Sequence, residues 1–167
     1  MTVVVVMGVS GSGKTTVGTA LADALDVTYA EADTFHSPEN IAKMSAGTPL
    51  TDEDRWPWLR SIAGWIGEHE KTGGVVTSSA LKREYRDLLR TGGDTWFLHL
   101  DGSHELIAER LRSRKGHFMP ASLLDSQLAT LEPLQPDEPG LVVDASAPPE
   151  DLVAAALKAL GEHNASS

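Results

Sequence analysis

Gly8-Val9-Ser10-Gly11-Ser12-Gly13-Lys14-Thr15 has the spacing G-x-x-x-x-G-K-[ST] and follows the apolar run Val3-Val4-Val5-Val6-Met7 directly. These residue types at this spacing suit the holding of a polyphosphate. Glycines let backbone N–H groups converge on phosphate oxygens. A helix opening near Gly13 turns its positive end toward the same anion. Lys14 brings a mobile ammonium to the outer phosphates, and Thr15 brings a hydroxyl to Mg²⁺. The nucleotide-binding candidates here are therefore Gly8, Val9, Ser10, Gly11, Ser12, Gly13, Lys14, Thr15 and Thr16. The plain alternative is a flexible glycine-serine turn carrying a surface lysine. The setting argues against it, because the motif needs a strand before it and an amphipathic helix after it. Val17, Leu21, Ala24 and Leu25 supply the one-sided spacing of such a helix.

Three further segments could bring chemistry to a bound triphosphate. Glu31-Ala32-Asp33-Thr34-Phe35-His36 leaves the end of a second strand, where open α/β sheets gather their ligands. An extended chain would point Glu31 and Asp33 the same way. Glu31 is the candidate to order Mg²⁺ through water, and Asp33 the candidate to accept a proton from an attacking hydroxyl. A solvated acidic loop is the alternative. Arg55 stands in the first turn of a helix, next to positive partial charge, which suggests a partner anion such as a substrate carboxylate. An intrahelical pair with Asp52 or Glu53 explains it equally well. Ser79 and Lys82, with Arg86 on the next helix, follow the third strand and could meet a polyhydroxyl substrate or form a solvated basic face. The run Arg110 to Phe118 is basic, contains Arg114 and His117, and breaks at Gly116 as a mobile lid would.

The elements needed to position these residues are legible as alternating short β-rich runs and helical patterns. Strands are expected at Val3–Met7, Val27–Ala30, Val75–Ser78, Trp96–Leu100 and Leu141–Val143. A short helix is expected at Pro38–Ala46, closed by Gly47. Thr51-Asp52-Glu53-Asp54 resembles a capping box opening a helix with Trp58, Ile62, Trp65 and Ile66 on one face. Further helices are expected near Leu81–Arg90, near His104–Ser113, from Pro120 through Leu131, and along Leu152, Ala156 and Leu160. The 167 residues suffice for one well-buried core, and no linker divides them.

The formal net charge of −10 implies that a triphosphate is drawn in by a local cluster of N–H groups and cations rather than by the overall field. No basic stripe favours nucleic acid. The absence of cysteine removes disulfides and thiolate metal sites and is compatible with the cytoplasm. The N-terminal apolar run is too short to span a membrane and lacks a basic flank or cleavage site. No Asn-Lys-x-Asp guanine signature occurs.

Taken together, these motifs resemble the gluconokinase family, small ATP-dependent kinases of D-gluconate. The resemblance rests on Met7 through Thr15, Asp33 through His36, Pro49 through Arg55, Pro57-Trp58-Leu59, Ser79-Ala80-Leu81-Lys82 and Tyr85-Arg86-Asp87. Arg114-Lys115-Gly116-His117-Phe118-Met119-Pro120, Gln127, Thr130-Leu131-Glu132-Pro133 and Val142-Val143-Asp144 extend it over nearly the whole chain.

The resemblance implies an α/β P-loop NTPase fold, three-layer α/β/α, with a five-stranded parallel sheet and a movable lid over roughly residues 114–133. It implies a single kinase domain over residues 1–167 that transfers the ATP γ-phosphoryl to the 6-hydroxyl of D-gluconate with Mg²⁺, often as a homodimer. In that light Lys14, Asp33 and Arg114 are the catalytic candidates, and Arg110 and Arg114 meet ATP phosphates. Asp33, His36, Arg55, Ser79, Lys82, Arg86 and His117 are the candidate substrate ligands, and Thr15 and Glu31 the candidate Mg²⁺ site. The chain departs from the family in having Glu31-Ala32-Asp33 where Asp-x-Asp is common, and Ser78 where cysteine is expected. The competing readings are a kinase of shikimate or of a nucleoside monophosphate, and a slow nucleotide-dependent switch with no acceptor.

Overall fold

The computed structural model describes every residue except 1, 10, 49, 114–120 and 167. Its centre is β1 (Val3–Met7), whose five side chains are all fully buried. A valine run covered on both faces is what a central strand of a parallel sheet requires. β1 pairs in parallel with β3 (Gly74–Thr77) on one side and β4 (Thr95–Asp101) on the other. β2 (Thr28–Glu31) and β5 (Gly140–Asp144) complete the order β2-β3-β1-β4-β5. The expected five-stranded parallel sheet is present.

Alternation along β1 divides the core between the two faces of the sheet. Val4 and Val6 pack with Val17 and Leu21 of α1 (Lys14–Leu25) and with Ala156 and Leu160 of α7 (Pro149–Ser166). Val3, Val5 and Met7 pack with Ile62 and Ile66 of α3 (Asp52–Glu68) and Leu89 of α4 (Arg83–Arg90). Above the sheet, Val9, Leu81, Ile107 and Leu124 form a smaller cluster. It joins the phosphate loop to α5 (His104–Ser113) and α6 (Ala121–Thr130).

Local chemistry sets the ends of the elements that reach the site. Asp26 closes α1 at φ 54°, and the Val27 N–H still donates to Ala22 O, so β2 begins one residue later than the sequence suggests. Ser37 caps α2 (Pro38–Ser45) by accepting from the Asn40 N–H. Thr51 caps α3 through the expected capping box, with Asp54 bonding back to the Thr51 N–H. The Lys43 ammonium and that N–H hold the Asp54 carboxyl down to about 2. α2 and α3 are thereby tied together.

One local expectation fails. After β2 the chain does not stay extended, because Ala32–Phe35 form a 3₁₀ turn, with Thr34 Oγ1 donating to Glu31 O. Glu31 and Asp33 therefore do not follow strand alternation. Among the described residues no helix is long and apolar enough to cross a membrane.

Candidate active site

The phosphate loop leaves the C-terminal end of β1 and turns into α1 at Gly13, whose φ of 99° belongs to the left-handed region. No side chain caps α1 and no acidic residue lies in its first turn. A helix start leaves its first N–H groups without intrahelical partners, the arrangement that favours an anion at this end of α1. Gly8 must be glycine on steric grounds, since a Cβ there would meet Leu100 O and Ser12 Oγ at 2.8 Å. The Lys14 ammonium folds back over the loop, donating to Gly8 O at 2.8 Å and Val9 O at 3.2 Å.

A cavity of about 510 Å³ opens beside Gly11, Ser12, Gly13 and Thr16. Its far wall is Ala147, from the segment that joins β5 to α7, with Pro149 and Leu152 from the first turn of α7. Arg110 bridges the two walls, with Nη1 donating to Ser12 O at 3.0 Å and Nη2 to Ala145 O at 2.6 Å. The sequence pointed to Arg110 and Thr16 but not to the far wall, whose small residues and proline carry no motif. A pocket with one apolar side and a row of N–H groups at its mouth suits a base attached to a polyphosphate.

Thr15 and Glu31, the two residues expected to serve Mg²⁺, lie side by side. Thr15 Oγ1 donates to Glu31 Oε1 at 2.9 Å, and Tyr29 OH donates to the same oxygen at 3.1 Å. A hydroxyl and a carboxylate at the mouth of a phosphate loop are the hard oxygen donors that Mg²⁺ takes. Among the described residues no cluster of three His, Cys, Asp or Glu side chains stands ready to hold a metal.

The acceptor side is built from the 3₁₀ turn, α2 and α3. Trp58 Nε1 donates to Ala32 O at 2.7 Å, and the His36 ring stacks on Trp58 with centroids 4.2 Å apart. Asp33 is exposed on the turn. Burial lowers the pKa of His36, while the nearby Asp33 raises it and Arg55 lowers it, so this imidazole feels both charges.

Arg55 and Lys82 come from different elements but converge on one carboxylate. Arg55 Nη1 lies 3.5 Å from Asp52 Oδ1, and Lys82 Nζ lies 3.5 Å from Asp52 Oδ2. Tyr85 OH donates to Asp52 Oδ1 and accepts from Arg55 Nη1 at 3.2 Å. The Tyr85 hydrogen bond and the two cations hold Asp52 below the ordinary carboxylate range. The intrahelical Asp52 partner weighed for Arg55 is thus present, and Lys82 shares it. Tyr85 escaped sequence reasoning as a member of this cluster, because only the fold brings it to Asp52, 33 residues away in sequence.

Arg86 differs from expectation. It is fully buried, and it donates to Glu138 through Nε at 2.7 Å and Nη2 at 3.0 Å, to Ala80 O at 2.9 Å and to Pro133 O at 3.3 Å. With its donors taken by protein it has no open face for a substrate, and it is not carried forward as a substrate ligand. Burial would raise the Glu138 pKa, but Arg86 and the Gln135 N–H hold it below the ordinary value. Removing one partner of such a buried pair typically costs about 3–5 kcal/mol.

Ser79 is half-buried at the end of β3, and its carbonyl accepts from the Gly8 N–H at 3.4 Å. Ser10, Arg114 and His117 lie outside the described residues. The far end of the expected lid is tied down, since the Glu132 N–H donates to Leu81 O at 2.6 Å.

A parallel sheet with its phosphate loop on the middle strand, facing an acidic turn and a cationic cluster, defines a P-loop kinase. The shikimate kinase family model matches residues 10–134. A gluconokinase of Gluconobacter oxydans is 53% identical over 151 residues, covering 87% of this chain and 84% of its own. A sugar kinase from Janibacter, solved without ligand, superposes with a TM-score of 0.90 at 58% identity, covering 96% of this chain and 95% of its own. A gluconokinase crystal structure from Sinorhizobium meliloti gives a TM-score of 0.89 at 48% identity, covering 96% and 92%. The chain belongs to the gluconokinase family, a branch of the shikimate kinase-like P-loop kinases.

Proposed function

We propose that this protein transfers the γ-phosphoryl group of ATP to the 6-hydroxyl of D-gluconate, giving 6-phospho-D-gluconate and ADP. The observation that carries this reading is the pairing of Arg55 and Lys82 around Asp52, on the same side of the sheet as Asp33. Arg55 and Lys82 keep part of their charged ends exposed, and each can exchange its carboxylate partner (Asp52 for both, and Glu84 at 3.9 Å for Lys82) for the carboxylate of a sugar acid.

Asp33 accepts the proton of the 6-hydroxyl as that oxygen bonds to the γ-phosphorus. The β,γ-bridging oxygen leaves on ADP with the electron pair. Phosphoryl transfer needs positioning and charge neutralisation more than base strength, so an ionised aspartate is sufficient. Lys14, now on loop carbonyls, is free to exchange them for phosphate oxygens. Bound Mg²⁺ would neutralise charge on the β- and γ-oxygens, and Thr15 and Glu31 are the residues that fit it. His36, Ser79 and Lys82 orient the hydroxyls and carboxylate of the acceptor.

One kinase domain over residues 1–167, with Arg114 and His117 closing over the reactants, is part of the same proposal and rests on the family resemblance. So are a cytoplasmic setting and a homodimer, which light scattering on the purified protein checks. A coupled ADP-release assay over a panel of sugar acids, shikimate and nucleoside monophosphates tests the reaction. Stimulation by D-gluconate is expected. Turnover on another acceptor alone, or turnover indifferent to any acceptor, would reject it.

A further inference from the structure

Ala80 has a φ of 44°, one of only two positive values at non-glycine residues among those described. An L-residue holds that conformation at an energetic cost, and does so only where its surroundings impose it. The turn it makes carries the chain from Ser79, at the end of β3, to Lys82, the residue that opens α4. Both flanking side chains are acceptor candidates, so the geometry of this turn sets where they point.

The imposing group is Arg86. Its Nη1 donates to Ala80 O at 2.9 Å, while Nε and Nη2 engage Glu138 and Nη2 also reaches Pro133 O. Both charged side chains are wholly buried. Further bonds run between the same two segments. The Glu132 N–H donates to Leu81 O at 2.6 Å, and Glu132 Oε1 accepts from the Arg83 N–H at 3.1 Å. Arg83 grips Asp137 with two bonds of 2.6 Å.

We propose that Arg86 and Glu138 are positioning residues for phosphoryl transfer: the buried pair fastens residues 131–138 to the Ala80 carbonyl and holds the left-handed turn that presents Ser79 and Lys82 to the acceptor. The inference rests on the reading of that turn as part of the sugar-acid site. A role in stability alone is a weak explanation for two buried charges, because apolar side chains of similar volume often replace such a pair without loss. What they cannot replace is directed donation to one carbonyl. A lysine cannot replace it fully either, since it lacks the planar fork that serves Glu138 and Ala80 together.

The test is steady-state kinetics on Arg86→Met combined with Glu138→Leu, and on Arg86→Lys alone, after the wild-type protein has been shown to phosphorylate D-gluconate. Displacement of the turn should raise the gluconate KM about tenfold or more in the double variant and less in Arg86→Lys, with the ATP KM within about twofold and the melting temperature preserved. An unchanged gluconate KM in both variants overturns the inference. So does a parallel rise in both KM values, which marks general loosening. If the double variant does not fold, Arg86→Lys decides by the same two readings. A wild-type protein inactive on D-gluconate rejects the proposed function before any substitution is made. The pair is then judged against whichever acceptor supports turnover.

Discussion

Thr15 donates to Glu31 across 2.9 Å, joining the first turn of α1 to the last residue of β2. The bond puts a hydroxyl and a carboxylate where the outer phosphates of a nucleotide would meet a divalent ion. Glu31→Gln keeps the size and removes the charge. The Mg²⁺ concentration for half-maximal rate should rise about threefold to tenfold, with smaller effects at saturating Mg²⁺. An unchanged Mg²⁺ titration would remove Glu31 from the metal site.

Lys14→Ala should leave the fold intact and cripple transfer. Loss of the ammonium that neutralises the migrating phosphoryl group is expected to lower kcat by about a hundredfold or more. Circular dichroism and a single-turnover assay on the same sample separate the two effects.

Asp33→Asn should lower kcat by roughly two to three orders of magnitude while ATP affinity, read by calorimetry, changes little. Asp33 is exposed on its 3₁₀ turn and tied into no described salt bridge, so a folding defect is not expected. Wild-type turnover in this variant would mean that another group takes the proton.

Arg55→Ala should raise the gluconate KM about tenfold or more and leave the ATP KM alone, since a charge-assisted bond contributes about 1.5–3 kcal/mol. A neutral analogue such as D-gluconamide provides the control, because its binding should depend far less on Arg55.

His99 lies in β4 with neither ring nitrogen hydrogen-bonded among the described residues, and burial holds its pKa below the ordinary 6.5. The unfolded chain therefore binds this proton more readily than the folded one. The stabilisation is complete above 6.5 and is lost as pH falls from 6.5 through the depressed folded value. His99→Phe should flatten the decline of melting temperature between about pH 7 and pH 5. A slope equal to wild type would assign that decline to other groups.

Much of the fold was legible because its signals are local. The buried valines of β1, the glycines of the phosphate loop and the Thr51 capping box each announce themselves within a few residues. The turn at Ala32–Phe35 did not, because its geometry is fixed by the Trp58 indole reaching Ala32 O from 26 residues away. Arg86 was misread for a related reason. Its basic character is visible in sequence, but the Glu138 that claims it lies 52 residues on, among the prolines of an irregular segment. Tyr85 shows the same limit, since no pattern separates it from an ordinary core residue.

The strand order β2-β3-β1-β4-β5 splits the two reactants between opposite halves of the sheet. The residues proposed to touch the sugar acid, among those described, fall between positions 33 and 82, whereas the far wall of the cavity beside the phosphate loop falls between 145 and 152. On the proposed assignments, acceptor preference is inheritable as one contiguous cassette together with the segment that anchors it through Glu138. Grafting residues 31–86 together with residues 131–138 from a relative with another acceptor should redirect the enzyme without retuning its use of ATP.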